Sequence, residues 1–115
     1  MADIPTCNWV GKSGKAYTYF IYPLPANLSP NQPGNYIFAR LDAQNQWVPI
    51  YIGQGDLKDR AENHHQARCI SQKGATHFHC HVNAVEGDRR SEESDLLSNY
   101  GQAYAPTGCN EMPGG

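Results

Sequence analysis

Two tyrosines, an arginine, a histidine and a glutamate stand at spacings that can bring them into one cleft. Tyr36 and Tyr51 lie in two apolar stretches, Asn35 to Leu41 and Trp47 to Ile52, on either side of the polar run Asp42-Ala43-Gln44-Asn45. This pattern predicts a β-hairpin closed by those four residues. With a symmetric loop, Leu41 faces Gln46 and Tyr36 faces Tyr51, their Cβ atoms roughly 5 Å apart. A slip of one residue would send one ring to the other face. Taken alone, such an aromatic pair is an ordinary way to stabilise a sheet.

The residues after Tyr51 add chemistry. Tyr51-Ile52-Gly53-Gln54-Gly55 ends a strand and leads into a helix N-terminus. Glycines there let the backbone approach a ligand, and free N–H groups favour an anion. Arg60 and His64 follow at i and i+4, stacked on one helix face within roughly 60° of Leu57. An arginine at the edge of the buried side can grip phosphate through two parallel hydrogen bonds. A histidine there can orient water or pass a proton, whereas His65 turns toward solvent. Further on, Glu93, Leu96, Leu97 and Tyr100 form an i, i+3, i+4, i+7 stripe. A carboxylate on such a stripe is costly unless it is paired or binds a metal. A lone hard carboxylate suits Mg²⁺ or Mn²⁺, which keep waters and substrate oxygens as further ligands. Glu92 aligns less well with the stripe, so Glu93 is the candidate ligand.

These residues need elements to hold them. Strands are expected at Ala16 to Tyr22, at both hairpin arms and at His77 to Val82. One helix should run from an Asp56 cap to about Ile70, and a second from an Asp88 cap to about Tyr100, with Gly101 just beyond its end. Pro23 to Pro33 holds four prolines and reads as a loop. The chain has 115 residues, 39% hydrophobic and 17% charged, a composition neither disordered nor membrane-spanning. The start, Met1 to Pro5, has no basic flank or apolar run of the kind a signal peptide carries. Cytoplasmic placement is the expectation. Cys7, Cys69, Cys80 and Cys109 include no CxxC pair and are read as reduced thiols. The net charge of −2 gives no overall basic footprint.

The assembled segments resemble the GIY-YIG nuclease family. Gly34-Asn35-Tyr36 and Tyr51-Ile52-Gly53 look like its paired GIY and YIG elements. Leu57-Lys58-Asp59-Arg60, then His64, looks like its helix with an arginine and a histidine four residues on. Glu93 with Leu96-Leu97 and Tyr100 looks like its metal-binding glutamate motif. Pro106-Thr107-Gly108-Cys109-Asn110 looks like its closing proline and asparagine. The match runs through residues 34–110 in the family's order. It departs where the first motif reads GNY and where Gln54 replaces a lysine that many members carry. Residues 1–33, including Trp9, Gly11 and Gly14, look like an N-terminal addition of stand-alone bacterial members, packed on the core. Residues 111–115 would be a flexible tail.

The resemblance implies a small α/β (α+β) domain with a mostly antiparallel three-stranded central sheet, flanking helices and an extra N-terminal strand. It implies metal-dependent endonuclease activity on DNA, with RNA left open as a substrate. One divalent ion, Mg²⁺ or Mn²⁺, would sit on Glu93. Tyr36 or Tyr51 would deprotonate or position the attacking water, Arg60 would stabilise the phosphate, and His64 would orient a tyrosine or the water. Asn110 would support the site by hydrogen bonding. Gly53, Gln54, Lys58, His77 and His79 would contact substrate. Specificity would come from loops such as Pro23 to Pro33 or from a partner protein. Two other readings compete. His77, His79 and His81 alternate along one strand and could build a zinc site. The same fold could also serve as a catalytically inactive nucleic-acid-binding module.

Overall fold

Alternating apolar and polar residues draw most of the chain into a single sheet. The computed structural model describes residues 4–112. The strands are β1 (Thr6–Val10), β2 (Ala16–Pro23), β3 (Pro33–Leu41), β4 (Trp47–Asp56) and β5 (His77–Val82). The helices are α1 (Leu57–Glu62), α2 (Ala67–Gln72) and α3 (Glu86–Asn99), followed by a short 3₁₀ turn, Gly101–Ala103. The expectations for the extreme N-terminus and the tail fall in part on residues 1–3 and 113–115, outside the described residues.

The sheet is antiparallel in the order β1-β2-β5-β3-β4. It is therefore a five-stranded sheet in an α+β domain, not a three-stranded one with a single added strand. β1 escapes a propensity reading because Cys7 and Asn8 dilute its β-branched character. Its hairpin with β2 turns through Gly14 at φ +89°, a conformation that favours glycine. β2 in turn pairs with β5, so the first 33 residues supply two strands of the main sheet.

The β3–β4 hairpin corrects the expected register. Leu41 pairs with Trp47, not Gln46, which makes the loop Asp42 to Gln46. Asp42 Oδ1 accepts from the backbone N–H groups of Gln44 (2.8 Å) and Gln46 (3.0 Å), and Asn45 adopts φ +61°. Asp and Asn side chains favour such turns over a symmetric connection. A bulge at Phe38/Ala39 shifts the register again. Tyr36 consequently faces Gly53, and Tyr51 faces Phe38.

Asp56 caps α1 as expected, its side chain accepting from Asp59 N at 3.0 Å. The expected single helix to Ile70 is broken at Asn63–Gln66. The Gln66 backbone N–H donates to His64 Nδ1 (2.9 Å), an alternative to the helical ladder. α3 begins at Glu86 with Val85 at its N-cap, and Asp88 lies in the first turn rather than capping.

Each face of the sheet buries its own core. One face carries Tyr36, Phe38, Phe78 and Cys80 against Leu57 of α1 and Ile70 of α2. The other carries Trp9, Tyr19, Ile37, Ala39 and Ile52 against Leu96 of α3. Cys69 of α2 and Cys109 form a disulfide with Cα atoms 5.9 Å apart, which corrects the all-reduced reading. The 40-residue separation hides this pair from any spacing rule. Cys7 and Cys80 remain free thiols. Disulfides persist in oxidising compartments, so this one weighs against the cytoplasmic expectation. No helix among the described residues is long and apolar enough to cross a membrane.

Candidate active site

The motif glycines are explained by what lies against them. A Cβ on Gly53 would stand 2.5 Å from Tyr36 Oη and 2.9 Å from Tyr51 Cε1. Only glycine leaves the Tyr36 ring room to cross its paired residue. Tyr51 is the diagonal neighbour on the same face, and the two rings stack with centroids 6.0 Å apart and planes within 10°. A Cβ on Gly34 would run into the His81 carbonyl oxygen of β5. The tyrosines thus meet as a diagonal pair, not as the directly opposed pair that the symmetric loop predicted.

His64 lies just past the end of α1, so its place beside Tyr36 does not come from i, i+4 stacking on a continuous helix. Its Nε2 is 2.6 Å from Tyr36 Oη, and its ring packs edge-on to Tyr51 at 4.4 Å. Nδ1 accepts the Gln66 N–H and so carries no proton. Burial, with His65 and Arg60 adding repulsion, pulls the imidazole down to about 4. Neutral His64 therefore bears its proton on Nε2 and donates it to Tyr36 Oη. The Tyr36 hydroxyl hydrogen is then free to point elsewhere. His65, expected to face solvent, is exposed but stacks on His64 at 4.5 Å and lines the cleft rim.

Arg60 crosses Gly55, where φ is +147° and a Cβ would meet the guanidinium Nε at 2.5 Å. That Nε is buried and has no hydrogen-bond partner. Burial raises both tyrosines above their ordinary range. The Glu93 charge raises them further, and Arg60 pulls both down. Glu93 is half-buried at the cleft wall. Burial holds its carboxyl above the usual range, against the pull of Arg90 and Arg60. Tyr51, His65, Glu93, Asn110 and Glu111 line a cleft of about 220 Å³. Asn110 pairs with the strand beneath: Oδ1 accepts from Ile52 N and Nδ2 donates to Ile52 O, both at 2.9 Å. It closes the free edge of β4 as another strand would, holding the segment between Tyr51 and Gly53.

Other expected contacts lie elsewhere. Gln54 Oε1 accepts from Arg89 of α3 at 2.9 Å, so its side chain is committed to the helix. Lys58 pairs with Glu62 on the surface of α1. His77 and His79 alternate onto the α3 face, where both rings abut Trp47. The sheet separates them from Tyr36, so the structure does not bring these two expected substrate contacts to the cleft. Nor do the strand histidines form a metal cage. His77 lies 2.8 Å from Thr76 Oγ1, His79 accepts from Trp9 and His81 pairs with Glu92. No group of three or more His, Cys, Asp or Glu side chains suited to a metal occurs among the described residues.

Periodicity also ranked the two glutamates incompletely. Glu92 is 4% exposed, its Oε2 accepting from Tyr19 Oη at 2.5 Å and lying 2.6 Å from His81 Nε2. The local stripe could not reveal this, because Tyr19 and His81 come from β2 and β5. No protein-family model, curated protein or solved structure matches this chain.

Proposed function

We propose that the protein is a metal-dependent endonuclease of the GIY-YIG type that hydrolyses DNA phosphodiester bonds. The observation that carries this reading is Arg60 Nε, a buried donor without an acceptor beside Tyr36, Tyr51 and Glu93. An unpaired buried donor costs about 1–3 kcal/mol, which a ligand oxygen would relieve once the guanidinium swings off Gly55, since this Nε is closed to solvent where it stands. A phosphate oxygen matches the donor fork of a guanidinium.

A single carboxylate supports the divalent cation of this reading. Glu93 is a hard, desolvated carboxylate with no hydrogen-bond partner among the described residues, and its charge opposes ionisation of both tyrosines. Glu93 would hold Mg²⁺ or Mn²⁺, which when bound supplies positive charge to the phosphate oxygens. Arg60 donates to the same phosphate. His64 is a positioning residue: its proton sits on Nε2 and fixes the Tyr36 oxygen, so the imidazole is not the base. Tyr36 and Tyr51 offer the oxygens that orient the attacking water.

The test is nicking of plasmid and branched DNA in Mg²⁺, in Mn²⁺ and in EDTA. Cleavage that requires a divalent ion is expected. DNA binding without cleavage under every condition would replace this reading with a silent binding module.

A further inference from the structure

We propose that an apolar slot beside the cleft receives one unstacked nucleobase of the substrate strand, next to the phosphate held at Arg60; this rests on the nuclease reading. The slot, about 370 Å³, lies between the β2–β3 loop and helices α1 and α2. Leu24, Phe38, Ala61 and Ile70 supply apolar walls, and His64 closes one side. Its volume is in the range of pockets that bury ring-shaped ligands.

Continuity with the cleft identifies the occupant. His64, which lines the slot, packs directly on two residues of the cleft wall, Tyr51 at 4.4 Å and His65 at 4.5 Å between ring centroids. Arg60 and Ala61 are consecutive in α1, the first with an unpaired donor and a charge that acts on Tyr51 and Glu93 of the cleft wall, the second in the slot wall. A nucleotide likewise joins a charged phosphate to an apolar-faced base over a short covalent span. The apolar walls and the carboxylate of Glu62 exclude a second phosphate from the slot. Its polar members are His64, Ser71 and Glu62; Glu62 Oε1 is paired with Lys58 at 3.1 Å, which leaves Oε2 and the Ser71 hydroxyl to hydrogen-bond base edges. A base stacked within intact duplex cannot enter. The substrate class is therefore single-stranded DNA, a flap, or a duplex whose nucleotide is extruded.

The experiment walks a single abasic residue along a labelled flap oligonucleotide. Cleavage is read in Mg²⁺ and binding by fluorescence anisotropy in EDTA. One position should lower both by about tenfold, the scale of one base–aromatic contact. Ala61→Trp, which fills the slot, should bring intact DNA to the abasic level and make the abasic substitution silent. Ala75→Trp, from the opposite wall, serves the same purpose should the first variant not fold. Metal-dependent cleavage that is indifferent to every abasic position overturns the slot and leaves the nuclease reading standing. A position-specific loss of binding without any cleavage supports the slot and removes the nuclease reading. Absence of both binding and cleavage overturns both.

Discussion

Glu92 and Glu93 are neighbours in α3 with opposite surroundings. Glu92 is sealed on the α3 face of the sheet, its oxygen shared by Tyr19 and His81. Glu93 reaches the cleft beside Tyr51 with no hydrogen-bond partner among the described residues. Each belongs to a cluster of tyrosine, histidine and carboxylate, so residue types do not distinguish the two regions. Hollow size does not either: the space beside His81 and Glu92 is about 440 Å³, twice that of the cleft. Satisfaction does. Where the polar groups meet one another, the cluster is part of the core. Where a guanidinium N–H and a carboxylate are left without protein partners, the proposed reading assigns them to a ligand. His79 on the α3 face also leaves Nε2 unpaired, but the residue is 0% exposed. Its edge-to-face contact with Trp47, at 4.4 Å, is the geometry of an N–H···π contact.

The largest expected effect is on activity. Glu93→Gln should reduce metal-dependent nicking by about 10²-fold or more while thermal unfolding stays near wild type. Nicking that survives this change would erase the distinction between the two glutamates.

Glu92→Ala should do the reverse. It strands the Tyr19 hydroxyl in the core and should cost roughly 3 kcal/mol. A Tm depressed by roughly 10 °C or more in calorimetry is expected. An unchanged Tm would mean that the Glu92 cluster is not structural.

The disulfide sharpens the contrast, because Cys109 precedes the asparagine that clasps β4. Reduction should remove roughly 2–4 kcal/mol of stability. Nicking should fall as the Asn110 segment loosens. If dithiothreitol leaves both Tm and nicking unaltered, the bond does not brace the cleft.

The smallest effect is a shared acid sensitivity. Burial pulls His64 and His79, one in each region, down to about 4. Between that value and the ordinary 6.5, the unfolded chain binds the proton and the folded chain does not. Their stabilisation is therefore present above pH 6.5 and is lost as pH falls toward 4. For His79 the loss from pH 7 to pH 5 is roughly 2 kcal/mol. His79→Gln should flatten the dependence of Tm on pH over that interval. An unaltered slope would show that His79 is not held neutral by burial.

Much of the layout was legible because it depends on neighbours in the chain. The β5 bounds, the Asp56 cap and the two arms of the β3–β4 hairpin follow from alternation and capping. The joining of Tyr36 and Tyr51 on one face was expected, but through a register that Asp42, Asn45 and a bulge displaced by two steps. The two shifts preserved which rings share a face, since side chains alternate with period two. His64 likewise came to Tyr36 although the helix meant to carry it ends first, because its own side chain takes a backbone N–H.

By itself, the sequence determined strands β2 to β5, the Asp56 cap and the α3 segment, and it singled out Tyr36, Tyr51, Arg60, His64 and Glu93 as a group. Only the tertiary structure decided that β1 and β2 extend the main sheet, that Cys69 meets Cys109, and that His77 and His79 lie on the far face from the cleft. It also decided that Glu92 is satisfied in the core while Glu93 is not. The reason is range: patterning and capping are set by residues a few positions apart. Pairing, burial and polar satisfaction depend on groups up to 73 positions apart, as Tyr19 and Glu92 are.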